Sequence, residues 1–308
     1  MSEPTCVVLM ASFNGMPYIK RQIETIFAQS EVAVRLIVRD DGSTDGTCEY
    51  LESLAREGRL SWYGGKNLGP ARGFLKLLRD APDADYYAFS DQDDVWDQDK
   101  LKRAIDMLGD NVKAALYHCN SRLIDCDEHY MGRLTYRNSR CRSFRNGDPL
   151  NQLCIASPMG CTEVFDRRLR DVVRSHGLPK PIVMHDMVLA NLCVLLGYQV
   201  AFDEFPHMGY RQHGSNVVGV TVDKHAAFLS AINSFIHRCD TTLAEQTRGI
   251  LDTYGDCIPD EGKALGMRVA AMKYSIRARF SIALSTRLQF GDVKNSVLNR
   301  LQLALGRK

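Results

Sequence analysis

The chain has 308 residues, 45% apolar and 25% charged. That is ordinary for a soluble globular protein and long enough for one large α/β domain, or a catalytic domain with an appendage. A formal net charge of +2 argues against a whole-protein nucleic-acid binder.

The chain enters a predicted strand at once, Val7 to Ala11, with no charged-then-apolar leader pattern. Ser12-Phe13-Asn14-Gly15 then turns, and Pro17 opens a helical pattern through Ile19, Ile23, Ile26 and Phe27. Val34 to Val38 is a second strand running into Arg39-Asp40-Asp41-Gly42-Ser43. Ser43, Thr44 or Asp45 can cap the next helix, which carries Tyr50, Leu51 and Leu54. Leu60 to Tyr63 reads as a third strand. Asn67-Leu68-Gly69-Pro70 leads into a helix with Phe74, Leu77 and Leu78. Tyr86 to Phe89 is a fourth strand, stopping at Ser90-Asp91-Gln92-Asp93-Asp94. This alternation predicts a mostly parallel sheet flanked by helices, with ligands beyond the carboxyl ends of the strands. The polar clusters Asn14, Asp40/Asp41, Asn67 and Asp91/Asp93 all fall at those ends.

Residues from about 112 to 220 mix strands with loops. Beyond them the pattern is helical and increasingly basic, and from Lys263 onward ten Lys/Arg face one acidic residue, Asp292. The expected organisation is a catalytic domain over 1–220 and a helical basic extension over 221–308. Segments such as Met267 to Lys273 and Ile276 to Phe280 mix apolar and basic residues as interfacial helices do, so peripheral membrane contact and a protein–protein helix bundle are both open. No apolar stretch reaches the roughly 18 residues of a membrane span. The ten cysteines form no Cys-x-x-Cys pair, and most sit in apolar runs such as CVVLM and LANLCVLLG; a reducing cytoplasm fits them.

Four motifs carry chemistry. Three carboxylates within Ser90-Asp91-Gln92-Asp93-Asp94 repel one another, and in an extended segment Asp91 and Asp93 point to one side. Such paired oxygens suit Mg²⁺ or Mn²⁺, completed by water and substrate phosphates. Asp40-Asp41 can accept hydrogen bonds from a base or a ribose, or form an ordinary Asp-Gly turn. Asp186, at the start of the apolar helix after His185, is a general base or a helix cap. Arg211 and His213 in Tyr210-Arg211-Gln212-His213-Gly214-Ser215-Asn216 can neutralise a diphosphate, and a neutral His213 can also ligate a metal.

Taken together, VVLMASFNGMPYIKRQIETIFAQS, VRDDGSTDGT, NLGPARGFLKLL, FSDQDDVW, HDMVLANL and YRQHGSNVVG resemble family 2 glycosyltransferases of GT-A fold, within them the bacterial rhamnosyltransferase-like branch. The resemblance implies an inverting, metal-dependent transfer of a sugar from a nucleotide diphosphate to an acceptor hydroxyl in cell-surface polysaccharide assembly. It assigns Ser12, Asn14, Asp40, Asp41, Asn67, Asp91 and Arg211 to the nucleotide sugar. Asp91, Asp93 and His213 go to Mg²⁺ or Mn²⁺, and Asp186 to the catalytic base. The branch implies dTDP-rhamnose as donor, a glycan or lipid-linked glycan as acceptor, and a place in the cytoplasm or at the inner face of the plasma membrane. Two departures concern the acceptor: Asn120 stands where Asp is common, and HDMV replaces HDWW. A sugar nucleotidyltransferase is disfavoured by a first loop with one Gly, and a non-catalytic sugar-nucleotide-binding protein by the intact motifs.

Overall fold

The computed structural model describes residues 3–111, 113–155, 158–213, 241–291 and 293–307. Its first half is the expected alternation: β1 (Thr5–Ser12), α1 (Ile19–Phe27), β2 (Ala33–Asp40), α2 (Thr47–Arg56), β3 (Ser61–Gly64), α3 (Gly69–Asp80) and β4 (Tyr86–Ser90). Then come β5 (Val95–Trp96), α4 (Lys100–Asp110), β6 (Ala114–Ile124), β7 (Tyr130–Leu134), α5 (Asn138–Arg145) and α6 (Pro149–Ile155). A 3-10 turn at Gly160–Thr162 precedes β8 (Val164–Asp166), α7 (Arg167–His176), α8 (His185–Leu195) and β9 (Gln199–Arg211). The described residues then end in four α-helices, α9 (Leu243–Tyr254), α10 (Asp260–Ala270), α11 (Ile276–Ala283) and α12 (Val293–Leu305), with a 3-10 turn at Ala271–Lys273.

The nine strands form one sheet in the order β3-β2-β1-β4-β8-β6-β9-β5, with β7 on the edge of β6. Strands β1 to β4 are mutually parallel, as is the β6–β9 pair, while β8 joins the two halves antiparallel to both. Cys6 to Met10 are wholly buried, as a strand covered on both faces requires. Their alternation divides the core. Val7 and Leu9 join α3, α8 and the C-terminal helices on one face; Cys6, Val8 and Met10 join α1, α2 and α4 on the other. Apolar positions recurring every three or four residues put Ile19, Ile23 and Ile26 of α1 in the core, and Phe74, Leu77 and Leu78 of α3. Helix α8 is apolar all round and correspondingly buried, between the sheet and α9 and α10.

Two local expectations shift. The third strand is displaced by one residue. The cap of α2 is Gly46 in the left-handed region, φ 94°; Asp45 instead accepts the Thr47 N–H from Oδ1 at 3.1 Å and the Met16 N–H from Oδ2 at 2.9 Å. The expected boundary at 220/221, and Gly214 to Asn216 of the last motif, lie outside the described residues. Leu243, Ile250, Val269, Ile282 and Leu303 belong to the same core as Val7 and Phe89, so the described C-terminal helices are built onto the sheet. No helix among the described residues is long and apolar enough to cross a membrane.

Candidate active site

Register puts the carboxyl ends of the first four strands side by side, with Ser12 beside Asp40, Asp40 beside Gly64 and Met10 beside Ser90. Each polar cluster therefore opens onto one cleft. Asp40 is fully buried, and its oxygens accept from Ser12 Oγ at 2.8 Å, Ser43 N at 2.7 Å, Ser43 Oγ at 2.6 Å and Gly42 N at 2.9 Å. Burial alone would raise its pKa; the hydrogen bonds from Ser43 and Ser12 reverse that and hold the carboxyl below its ordinary value. Ser12 and Asp40 thus form the base of the second loop, beneath the surface a nucleotide would touch. Asp41 lies higher, paired with the Arg39 guanidinium and accepting the Leu68 N–H at 2.9 Å, which couples the second loop to the third. Asn67 is exposed and its Oδ1 turns back to the Gly69 N–H at 2.8 Å.

Asn14 is exposed and left-handed, φ 50°, a conformation asparagine tolerates better than most residues. It zips the first two loops together: its N–H donates to Ser43 Oγ at 2.7 Å, and its Oδ1 accepts the Thr44 N–H at 2.9 Å. Gln92, passed over in the sequence as a spacer between aspartates, clasps the same first loop. Its Oε1 accepts the Phe13 N–H at 2.9 Å and its Nε2 donates to the Phe13 carbonyl at 3.0 Å. Nothing in the sequence distinguishes this Gln from a solvated one.

The acidic motif leaves β4 at the floor of the cleft. Burial, then the charges of Asp93 and Asp186, push the Asp91 carboxyl up to about 7. Asp94 is buried, and one oxygen accepts the Arg211 N–H at 3.2 Å while Oδ2 has no partner among the described residues. Burial and the neighbouring Asp93 and Asp91 raise its pKa well above the ordinary value. Asp91, Asp94 and Cys161 bring oxygen and sulfur within 4.8 Å of one another, but burial pushes the Cys161 thiol well up, so it stays protonated. Asp93 Oδ2 meets His213 Nε2 at 2.7 Å, and the imidazole stacks on Tyr18 at 4.9 Å. This set of carboxylate oxygens and one imidazole, with a buried oxygen still unbonded and carboxyls whose mutual charge a cation would relieve, fits Mg²⁺ or Mn²⁺.

Arg211 occupies a different place from the one its motif suggests. Its side chain is buried; Nε donates to the Asp93 carbonyl at 2.7 Å, Nη1 to the Cys126 carbonyl at 2.7 Å, and Nη2 meets Glu128 at 3.2 Å, with Tyr18 stacked on the guanidinium. Nε thus braces the backbone of the acidic motif and Nη1 the turn at Cys126, and His213 is the member of this pair that meets the Asp93 carboxylate. Strand β9 also carries Met208 and Gly209 against β5, just past the motif.

Asp186 sits in the first turn of α8, where Oδ1 accepts the Met187 N–H at 2.6 Å and Oδ2 the Gly160 N–H at 3.2 Å. Burial lifts its pKa to about 6 against those two bonds. Beneath it, His185 stacks on Phe74 at 4.2 Å and meets Phe89 edge-on at 4.9 Å. Burial drops the imidazole pKa to about 3, so the ring is a neutral packing element. Glu163, overlooked in the sequence, is wholly buried with neither oxygen bonded among the described residues. Burial and the charge of Asp186 raise its pKa well above the ordinary value, which leaves a protonated acid beside the candidate base. Gly160 has no room for a side chain: a Cβ would stand 2.2 Å from His185 Nε2. Gly160→Ala is expected to lower stability by about 1–3 kcal/mol through overpacking. It should also lower turnover by displacing the N–H that holds Asp186, as thermal melting and initial rates would show.

Comparison with known proteins gives a consistent result. A family model described as Glycosyl transferase family 2 matches residues 7–165. The chain is 29% identical over 234 residues to the dTDP-rhamnosyl transferase RfbG of Shigella flexneri, covering 71% of this chain and 76% of that one. Among solved structures it resembles Staphylococcus aureus TarS 1-349 in complex with UDP-GlcNAc, with a TM-score of 0.54 at 16% identity, covering 98% of this chain and 87% of that one. It also resembles the mannosyltransferase PcManGT of Pyrobaculum calidifontis in complex with GDP-Man and Mn²⁺, with a TM-score of 0.52 at 15% identity, covering 99% and 88%. At these identities the structural likeness establishes the GT-A fold.

Proposed function

The chain belongs to glycosyl transferase family 2, and from that premise we propose that it transfers rhamnose from dTDP-rhamnose to a glycan hydroxyl in polysaccharide assembly, with inversion. The observation that carries the reading is the convergence of Asp186, from α8, and Asp91, just past β4, on one turn: Asp186 accepts the Gly160 N–H at 3.2 Å, and the next residue, Cys161, brings its sulfur within 4.8 Å of the Asp91 carboxylate. Asp41, Asn14 and Asn67 border the nucleotide side of the cleft. Asp91 and Asp93, with His213, hold Mg²⁺ or Mn²⁺, which supplies a Lewis acid for the diphosphate. Asp186 removes the acceptor proton as the hydroxyl oxygen attacks the anomeric carbon; the bond to the diphosphate breaks and its electron pair leaves with the phosphate oxygen. Arg211 and Gln92 position the acidic motif without touching substrate. RfbG, named as a dTDP-rhamnosyl transferase, supports the donor; a lipid-linked glycan as acceptor would place the reaction at the inner face of the plasma membrane.

The test is turnover of a panel of nucleotide sugars with Mn²⁺ and a glycan acceptor, with the product anomer read by NMR. The expected result is preferential use of dTDP-rhamnose, release of the nucleoside diphosphate and an inverted linkage. Release of pyrophosphate would instead make the enzyme a nucleotidyltransferase, and retention of configuration would remove Asp186 from its role.

A further inference from the structure

Among the described residues, eight of the thirteen exposed large apolar side chains lie beyond residue 266. Six of them fall on two stripes at four-residue spacing: Ile276, Phe280 and the C-capping Leu284 along α11, and Val297, Leu301 and Leu305 along α12, each 48–73% exposed. Spacing by four keeps successive side chains on one face of a helix. The two helices form an antiparallel hairpin. Arg300 of α12 donates to the carbonyls of Ala283, Ser285 and Leu288 at the end of α11, while Gly306 abuts the Arg279 guanidinium nearer its start.

The hairpin is fixed to the body by the segment between its helices. Arg287 pairs with Asp148 at 2.7 Å, the Gln289 N–H donates to Asn151 Oδ1 at 2.8 Å, and Arg142 donates to the Gly291 carbonyl at 2.8 Å. Both stripes are therefore presented by a rigid element whose Ile282 and Leu303 reach into the main core. Exposed apolar stripes on a well-anchored hairpin are unusual in a protein that meets only water. Neither α11 nor α12 carries an acidic residue, although Lys273 and Arg287 are paired with Glu245 and Asp148, and Arg279 and Arg300 are held by backbone carbonyls. Arg277 stands exposed between Ile276 and Phe280.

We propose that the face formed by α11 and α12 docks on an anionic lipid surface, its apolar stripes entering the headgroup boundary and its cations meeting lipid phosphates. Apolar side chains flanked by arginine match an interface that is greasy below and negative above. The binding stands apart from the transfer reaction. It rests on the reading above only in what it would deliver, a lipid-linked acceptor to the transferase.

The test is flotation of the full chain with vesicles of phosphatidylcholine alone and of phosphatidylcholine with phosphatidylglycerol. The full chain should float with the anionic vesicles, lose binding in high salt, and stay below with the neutral ones. Ile276→Ser/Phe280→Ser/Leu284→Ser should bind at least about tenfold less, and Arg277→Gln about fivefold less. Both should keep wild-type melting curves and wild-type transfer to a water-soluble acceptor, so that lost binding is distinguishable from lost catalysis. A wild-type protein that ignores anionic vesicles, or a triple variant that binds them equally well, overturns the proposal. So does a wild-type dimer, seen by light scattering, that the triple substitution dissociates, because the face would then belong to a second copy of the chain.

Discussion

Asp186→Asn is expected to lower kcat by about 10²–10⁴-fold, the range that a positioned general base contributes, while leaving donor affinity unchanged. The amide keeps the shape of the carboxyl, and its single oxygen can still accept the Met187 N–H while its NH2 stands where the other oxygen took the Gly160 N–H, so the first turn of α8 should survive with one bond fewer. What it lacks is the basic lone pair that takes the acceptor proton. In the wild-type protein the same group sets the acid side of the pH profile. A carboxyl pushed up to about 6 by burial must be ionised to act, so kcat/KM for the acceptor should rise through about pH 6 and level off above it. Stopped-assay rates across pH, with donor binding followed by calorimetry, separate the two effects. Normal turnover by the Asn variant would move the base elsewhere.

Asp93→Ala has the second large effect, on donor binding as well as on rate. Asp93 shares its Oδ2 with His213 at 2.7 Å, and its backbone carbonyl is held by the buried Arg211. Removing the carboxylate therefore deletes one ligand from a braced frame and leaves the frame standing. Lewis-acid assistance to a leaving phosphoryl oxygen contributes several kcal/mol, so a loss of roughly 10²–10³-fold in kcat is expected, the range seen when one oxyanion donor is removed. Added Mn²⁺ should restore little of it. Arg211→Lys makes a useful contrast. Lysine keeps the charge but cannot reach the Asp93 and Cys126 carbonyls and Glu128 together, so the expected damage is to melting temperature as well as to rate.

Periodicity and turn chemistry made the first four strands and three helices legible, because every one of them is a local pattern ending in a polar loop. The grouping of Asn14, Asp41, Asn67 and Asp91 was legible too, since parallel strands bring their carboxyl ends to one edge whatever the sequence between them. In the second half the apolar helix at His185 and the helical C-terminal pattern were legible, but the strand pairing was not. Strand β8 has three residues, too short to show a period, yet it is the antiparallel hinge between two parallel groups. Strand β9 takes its place from pairing with β6, a contact between distant residues.

Roles within the site were harder to read than membership. Asp40 and Asp41 are adjacent and chemically identical in the sequence; only the fold sends Asp40 down to Ser12 and Ser43 while Asp41 meets Arg39 and Leu68. Arg211 sits in a polar motif that suggests a phosphate, but β9 ends there and turns its guanidinium onto backbone carbonyls. Glu163 and Gln92 carry no local signal, because burial of a carboxylic acid and capture of a loop by an amide are both tertiary events. For the C-terminal helices, composition gave the basic excess, and only the burial pattern separates Ile282 and Leu303, which are core, from Ile276 and Leu301, which are not.

The central claim is that Asp91 and Asp93 grip a divalent cation against the diphosphate of the donor. Calorimetric titration of the wild-type protein with dTDP, in Mn²⁺ and again in excess chelator, tests it most directly. Tight binding that requires Mn²⁺, and that Asp93→Ala abolishes, is the predicted result. Equal affinity with and without the metal would contradict it.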